Sequence, residues 1–282
     1  MNRRPLVHRI VTWAFAAVLL VAVFGPVLAL VVASLSSQAE LLALPMHLWP
    51  SEPTLSRYRD ILTGDAGSIA GALRAALVNS LVVAAASVAV SLGCGALGAY
   101  AVARLRFRFR RGAVLLLLVT YMMPPLALVI PIYLALSGLG LLDNRAGLIV
   151  VYCSFTTPFV LWLLSSYFAT LPVDLEEAAL IDGCTRLGAL FRIVLPLSRP
   201  GLVSAGLLGF LGAWDEFFYA LILTSSPTAK TIPVALTEFT GRYSLDFGLM
   251  AAGGLIAALP PVLIALVLQR YITSGLTAGA GK

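Results

Sequence analysis

The stretch EEAALIDGCTRLGALFRIVLP, Glu176 to Pro196, sets carboxylates, arginines, glycines and a closing proline between two apolar runs. The chain around it has 282 residues, of which 60% are hydrophobic and 11% charged, and a mean hydropathy of +0.97. Soluble domains carry about 25% charged residues, so a soluble globule is excluded. The composition is that of an all-α membrane protein, in which a polar interruption belongs at a membrane surface.

Local signals in this stretch describe a two-helix elbow. Pro172 stops the preceding run, and Asp174 followed by Glu177 has capping-box spacing, which satisfies free N–H groups at a helix start. A short helix is expected from there to about Asp182, ended by Gly183, the residue best able to take a left-handed C-terminal conformation. Thr185 then caps a second helix, on which Leu187, Leu190, Phe191 and Val194 share one face and which Pro196 closes. Ala178 and Ala179 let another surface approach the first helix closely. Spacing alone leaves two readings open, a docking knob or a capped loop with no further role.

Working outward, uncharged runs lie between Arg9 and Glu40, Arg74 and Arg104, Arg111 and Asp143, Arg145 and Asp174, and Asp246 and Arg270. Each reaches the ~20 residues of helix that cross a bilayer. A sixth lies between Arg199 and Lys230, interrupted only by Asp215 and Glu216. The expected spans are therefore 11–34, 76–103, 112–137, 147–170, 201–223 and 248–269, in one transmembrane domain covering 1–282. The elbow occupies the connecting loop 171–200, and loops 35–75 and 224–247 face the other side. Thirteen of the 19 Lys and Arg fall on the side holding both termini and the elbow, including the arginines of RLRFRFRR. The positive-inside bias places that side in the cytoplasm. The first run is longer than the 7–15 residues of an ordinary signal-peptide core, so an uncleaved anchor is favoured.

The elbow also carries a resemblance. Glu177, Ala178, Ala179, Gly183, Ile193, Leu195 and Pro196 match the EAA motif of binding-protein-dependent ABC transporter permeases, with every fixed position met. Through GLGLLDNRAGLIVVY, PFVLWLLSSYF and LPVDLEEAALIDG the chain is similar to the carbohydrate-uptake branch, in particular to its maltose-permease type. Two positions depart from the usual pattern: Cys184 stands where alanine is common, and Asp215 where asparagine is. The resemblance implies a sugar-importer subunit of the bacterial plasma membrane, working by alternating access. Its first elbow helix, with Asp182 closing it, would couple to a separate ATPase, Glu177 pairing with a basic residue there. The implied partners are a second six-span permease chain, two ATPase subunits, an extracytoplasmic solute-binding protein and the sugar. ATP and Mg would be held by the ATPase subunits, with no cofactor in this chain, and no nucleic acid is implied.

The chain offers no nucleotide site of its own. The terminal GAGK has Leu276 where a P-loop needs glycine, and no Ser or Thr follows Lys282. No catalytic or metal-ligand cluster is apparent, since His8 and His47 lie outside the spans and Cys94, Cys153 and Cys184 have no ligand spacing. An intramembrane enzyme is therefore a distant reading. For the solute path, intramembrane charge defaults to a functional site. Asp215 is expected about two-thirds of the way across a ~30 Å core, flanked by Trp214 and Glu216 as a stacking face beside carboxylates. Tyr121, Met122 and Met123 precede Pro124, Pro125 and Pro131, which must break helical bonds and suit a cavity wall. Asn79, Thr156 and Thr157 are further candidates, although packing or helix-to-helix bonding accounts equally for all of these. The basic stretch, with Phe107 and Phe109 between its arginines, suits acidic lipid headgroups of the bilayer. The alternatives to sugar are an ABC permease for glycerophosphodiesters, amino acids or peptides, and an ion-coupled secondary transporter.

Overall fold

The structure, a computed structural model, describes residues 6–43, 49–65, 68–238 and 246–277. Parts of both expected external loops lie outside these residues, as do Arg3, Arg4, His47, Arg242 and the terminal GAGK. Among the described residues every regular element is helical. The order is α1 (Leu6–Leu35), α2 (Gln38–Leu42), α3 (Ser56–Thr63), α4 (Ile69–Arg104), α5 (Arg110–Met122), α6 (Pro125–Gly138) and α7 (Arg145–Phe168). There follow α8 (Asp174–Ile181), α9 (Arg186–Ala189), a π-turn (Leu190–Val194), α10 (Leu195–Leu197), α11 (Arg199–Trp214), α12 (Phe218–Leu223), α13 (Ile232–Glu238) and α14 (Phe247–Thr277).

Four helical stretches are long and apolar enough to cross a bilayer: Ile10–Leu35, Ile69–Arg104, Arg145–Phe168 and Phe247–Gln269. Two more candidates are bent pairs, so among the described residues the number lies between four and six. In one of them α5 and α6 meet at 94° across Met123 and Pro124, where the expected continuous run 112–137 breaks. Pro124 and Pro125 carry no N–H, and Pro125 sits at the start of α6, where a helix needs none. The expected run 201–223 also breaks, with α11 stopping at Trp214 and α12 restarting at Phe218.

The described residues within Met1–Arg74 and Leu236–Leu259 form one compact unit, and those within Ala75–Ala235 and Pro260–Lys282 form another. In the first, the buried Arg57 guanidinium donates to the carbonyls of Ser34 (3.3 Å) and Ser36 and pairs with Asp246 at 3.3 Å. Asp246 also accepts the N–H of Leu249 at 2.9 Å, so one arginine ties the end of α1 to the start of α14. A Cβ placed on Gly248 would lie 2.0 Å from the guanidinium carbon, which explains the glycine there. Nearby, Ser37 caps α2, and the amide hydrogens of Ser51 and Ser37 hold the Glu40 carboxyl below the usual carboxylate range.

The second unit is built around α7, whose Leu148, Tyr152, Val160, Leu164 and Phe168 are fully buried. Small residues let its neighbours come close: a Cβ on Gly98 of α4 would lie 2.5 Å from Leu161, and one on Gly201 of α11 would lie 2.6 Å from the Tyr167 ring. Asp143, at φ 53°, turns the chain from α6 into α7. Its N–H donates to the Leu223 carbonyl at 2.9 Å, and its carboxylate accepts the N–H groups of Ser225 (2.8 Å) and Ser226 (2.9 Å). Burial alone would raise its pKa, but the amides of Ser226 and Ser225 outweigh it and hold the group below the ordinary value.

Two predictions follow from these contacts. Asp143 and Glu40 both have depressed folded-state pKa values, so the stability they contribute is complete above their unfolded values of about 4. That stability is lost as pH falls through the lower folded values. Thermal unfolding in detergent should accordingly lose an acid-labile component below about pH 4, and the component should shrink in Asp143→Asn. Gly248→Ala should lower stability by about 1–3 kcal/mol through overpacking against Arg57, measured as a shift in the unfolding midpoint.

Candidate functional site

The elbow folds much as its local signals require, with two corrections. The expected capping box is absent: Val173, not Asp174, precedes the helix and is itself helical (φ −71°, ψ −29°), so no side chain caps α8. The N–H groups of Glu176 and Glu177 bond instead to the Val173 carbonyl at 2.9 and 3.1 Å. The C-terminus does match expectation. Gly183 is left-handed at φ 84°, its N–H bonds to Leu180 at 3.1 Å, and the Cys184 N–H reaches back to Ala179 at 2.9 Å. This pair of bonds is a Schellman motif. Thr185 caps α9 by accepting the Gly188 N–H at 3.1 Å.

The second correction concerns the face expected from Leu187, Leu190, Phe191 and Val194. Leu190 and Val194 are buried, whereas Leu187 and Phe191 are each 60% exposed. The split runs between two adjacent rows, Leu187–Phe191 outside and Leu190–Val194 inside, and within the second row the helix is a π-turn. Pro196 has no N–H for the Arg192 carbonyl and its ring crowds that group, and the helix widens just upstream, with Leu195 donating to Leu190. Pro196 therefore does not close the helix, which runs to Leu197 and then bends by 79° into α11.

Below the surface, Glu176 of α8 is buried and pairs with Arg104 at the end of α4, Nε to Oε1 at 2.5 Å. The same guanidinium donates to the Leu171 carbonyl at 3.0 Å. On the outer side Glu177, Ala178, Asp182 and Gly183 are exposed and Ala179 is half-buried. Ile181 is 85% exposed, and Leu175, Leu180, Leu187 and Phe191 stand out beside it. Of the remaining motif positions, Ile193 and Leu195 are half-buried and Pro196 is exposed. Sequence reasoning missed Glu176 and Arg104, which are 72 positions apart. The signal available was a charged residue at each of two helix ends, Arg104 closing α4 and Glu176 opening α8.

The candidates for a solute path fall in separate places. Asn79 is buried, its amide donating to the carbonyls of Pro227 (3.0 Å) and Lys230 (2.8 Å), while the neighbouring Ser80 accepts the Ile232 N–H at 2.8 Å. Trp214 is buried and stacks on Phe210 at 5.5 Å. Asp215 is not in mid-helix as expected: it follows the last residue of α11 and is exposed. Glu216 folds over the start of α12, accepting the N–H groups of Tyr219 (2.8 Å) and Ala220 (3.1 Å) and the Tyr152 hydroxyl (2.8 Å). It thus serves as a cap across the helix break, which leaves Asp215 as the open carboxylate. Tyr121, Met122 and Met123 are exposed at the end of α5, with Tyr121 stacked on Phe159 at 5.8 Å. Thr156 is buried, and Thr157 pairs with Ser91 at 3.0 Å. Phe107 and Phe109 are exposed between Arg106, Arg108 and Arg110, which line an open cleft with them.

Comparison with known proteins agrees with this arrangement. The family model described as "Binding-protein-dependent transport system inner membrane component" matches residues 91–277. The sulfoquinovosyl glycerol transport system permease protein SmoH of Agrobacterium fabrum is 35% identical, over 95% of this chain and 92% of its own. The trehalose/maltose transport system permease protein MalG of Thermococcus litoralis is 34% identical over 99% of each chain. Among solved structures, a chain of a bacterial ABC transporter that imports the acidic polysaccharide alginate superposes with a TM-score of 0.80 at 26% identity, covering 96% of this chain and 98% of that one. The elbow with its fixed motif positions and the match over most of the chain lead to one conclusion: this protein belongs to the family of binding-protein-dependent transport system inner membrane components.

Proposed function

We propose that this chain is a permease subunit of an ATP-driven importer that takes up sugars delivered by an extracytoplasmic binding protein. The observation that carries the coupling half of this reading is the elbow: an exposed apolar and acidic surface on α8, held from beneath by a buried ion pair. A loop with no further role does not require Ile181 to stand 85% exposed beside Glu177. A knob that inserts into a cleft of another protein does. The sugar half is supported by relatives whose names specify trehalose, maltose and sulfoquinovosyl glycerol.

In this reading the chain is a single multi-pass permease domain of the bacterial plasma membrane, with six spans and both termini in the cytoplasm. The bent pair α5 with α6 counts as one span and α11 with α12 as another, while the elbow 171–200 stays at the cytoplasmic surface. The partners are a second permease chain, two ATPase subunits that bind ATP and Mg, and the binding protein. Glu177, Ala178, Ala179, Asp182 and Gly183 form the contact with the ATPase, while Ile193, Leu195 and Pro196 shape the return into α11. Closure of the ATPase pair moves the elbow as a rigid body and switches the cavity from one side to the other. Such a switch needs partners that bind the two states with different affinity.

The test is to extract the tagged chain in mild detergent and identify what co-purifies in stoichiometric amount. A second permease chain and an ATPase support the reading. The chain alone, active in liposomes on an ion gradient, overturns it in favour of a secondary transporter. A co-purifying binding protein that ignores sugars and holds a glycerophosphodiester, amino acid or peptide overturns the sugar assignment only.

Glu177→Arg and Ile181→Asp should leave the chain membrane-inserted while abolishing ATPase attachment or transport-coupled hydrolysis, read by co-purification and ATPase assay. Arg104→Ala should be harsher, because it leaves Glu176 buried without its ion-pair partner. A loss of about 3–5 kcal/mol is expected, seen as a lower unfolding midpoint and reduced yield of the assembled complex.

A further inference from the structure

We propose that the open end of an aromatic stripe on α7, at Phe159 and Trp162 with Tyr121, is a water-accessible track for the sugar rings of the cargo, an inference that rests on the sugar-importer reading. Tyr152, Phe155, Phe159 and Trp162 recur at intervals of three, four and three residues, which puts them on one side of the helix. At ~1.5 Å per residue the stripe is ~15 Å long. Rings from two other helices extend it. Tyr121 of α5 lies near-parallel to Phe159 (5.8 Å between centroids, 26°), and Tyr219 of α12 lies near-parallel to Phe155 (6.4 Å, 11°). Phe159 and Trp162 are 6.5 Å apart, and Tyr152 and Phe155 5.5 Å.

Three features point to a hydroxylated cargo in preference to lipid. The rings open progressively along the stripe, from fully buried Tyr152 through half-buried Phe155 and Phe159 to Trp162 at 42% exposure, with Tyr121 at 46%. Both ends are polar. At the Tyr152 end its hydroxyl bonds to Glu216, the neighbour of the exposed Asp215. One turn beyond Trp162 the same face presents exposed Ser166. Finally, the helices lending the extra rings do so beside backbone breaks, Tyr121 just before Met123–Pro124 and Tyr219 just after Asp215–Phe217. Irregular backbone at membrane depth is tolerated where it is buried in protein or lines a water-filled cavity. A pyranose ring has an apolar C–H face that stacks on aromatic faces and a rim of hydroxyls that needs acceptors. The exposed Asp215 beyond one end and the exposed Ser166 at the other supply such acceptors, whereas a hydrocarbon tail has no use for either.

The test uses the purified complex with Cys94, Cys153 and Cys184 replaced by alanine and either Phe159→Cys or Trp162→Cys introduced. The probe is a water-soluble maleimide. Both cysteines should react, at rates that differ about tenfold between the nucleotide-free and the ATP-vanadate-trapped complex, since the two states open to opposite sides. Binding protein loaded with each sugar it is found to hold should slow the labelling. In the wild-type cysteine background, Trp162→Leu should cut sugar uptake about tenfold while Trp162→Phe, which keeps a stacking face, should retain most of it. Labelling only by a lipid-soluble maleimide would make the stripe a lipid face, and dry cysteines that cross-link to the second permease would make it an interface. Either result overturns the track. If an ATPase co-purifies and responds to the binding protein while both cysteines stay dry, the track fails and the importer reading stands. If the cysteines label but no ATPase is present, the importer reading fails first.

Discussion

The contact on which the rest of the elbow depends is the buried pair of Arg104 and Glu176. Taking two charges out of water is expensive, and their attraction repays it only with good geometry and further hydrogen bonds. Both conditions hold here. The guanidinium meets the carboxylate through Nε and the Leu171 carbonyl through a second nitrogen. Helix ends add to this, because Arg104 lies in the last turn of α4 and Glu176 in the first turn of α8. A cation is favoured at the first of these sites and an anion at the second. The pair therefore pins α8 to the end of α4, and the apolar side chains above it project from a fixed base.

A similar logic operates at the break between α11 and α12. Ending a helix inside an apolar run leaves backbone groups without helical partners. Glu216 answers for the donor side, its two carboxylate oxygens taking two N–H groups of α12 and the Tyr152 hydroxyl. Adjacent carboxylates thus have different work. Glu216 is consumed in holding the break together, and Asp215 is left open beside it.

How much of this was legible in the sequence depends on the range of the interaction. Gly183 and Thr185 act within one helical turn, and their roles follow from residue type and spacing. The EAA positions and the helical, apolar character of the chain were equally readable. The capping box failed by one residue, because Val173 takes a helical conformation and shifts the helix start. The π-turn also escaped, since a 3.6-residue period assumes a uniform helix and Pro196 locally widens it. Glu176 was passed over because both local signals, capping-box spacing and the EAA motif, select its neighbour Glu177. What distinguishes Glu176 is Arg104, 72 positions earlier. Asn79 was singled out for polarity in an apolar run, yet its partners lie about 150 positions away and only the fold brings them together.

The elbow and the break at Asp215 are the two ends of one helix. Residues 199–214 span ~24 Å at the usual rise, and the bend at Ser198 joins them to the second elbow helix, Arg186–Leu197. Close packing makes α11 a stiff connection. A Cβ on Gly201 would strike the Tyr167 ring and one on Gly209 would come within 3.1 Å of Thr156, so no gap against α7 exists to absorb a shift. Close-packed interiors transmit strain instead of deforming continuously. In the proposed cycle, a displacement of the second elbow helix is carried along α11 toward Trp214 and Asp215. The far end of α11 is also where the backbone is irregular and the carboxylate is open, so the least regular part of the helix layer is coupled to the part most rigidly held.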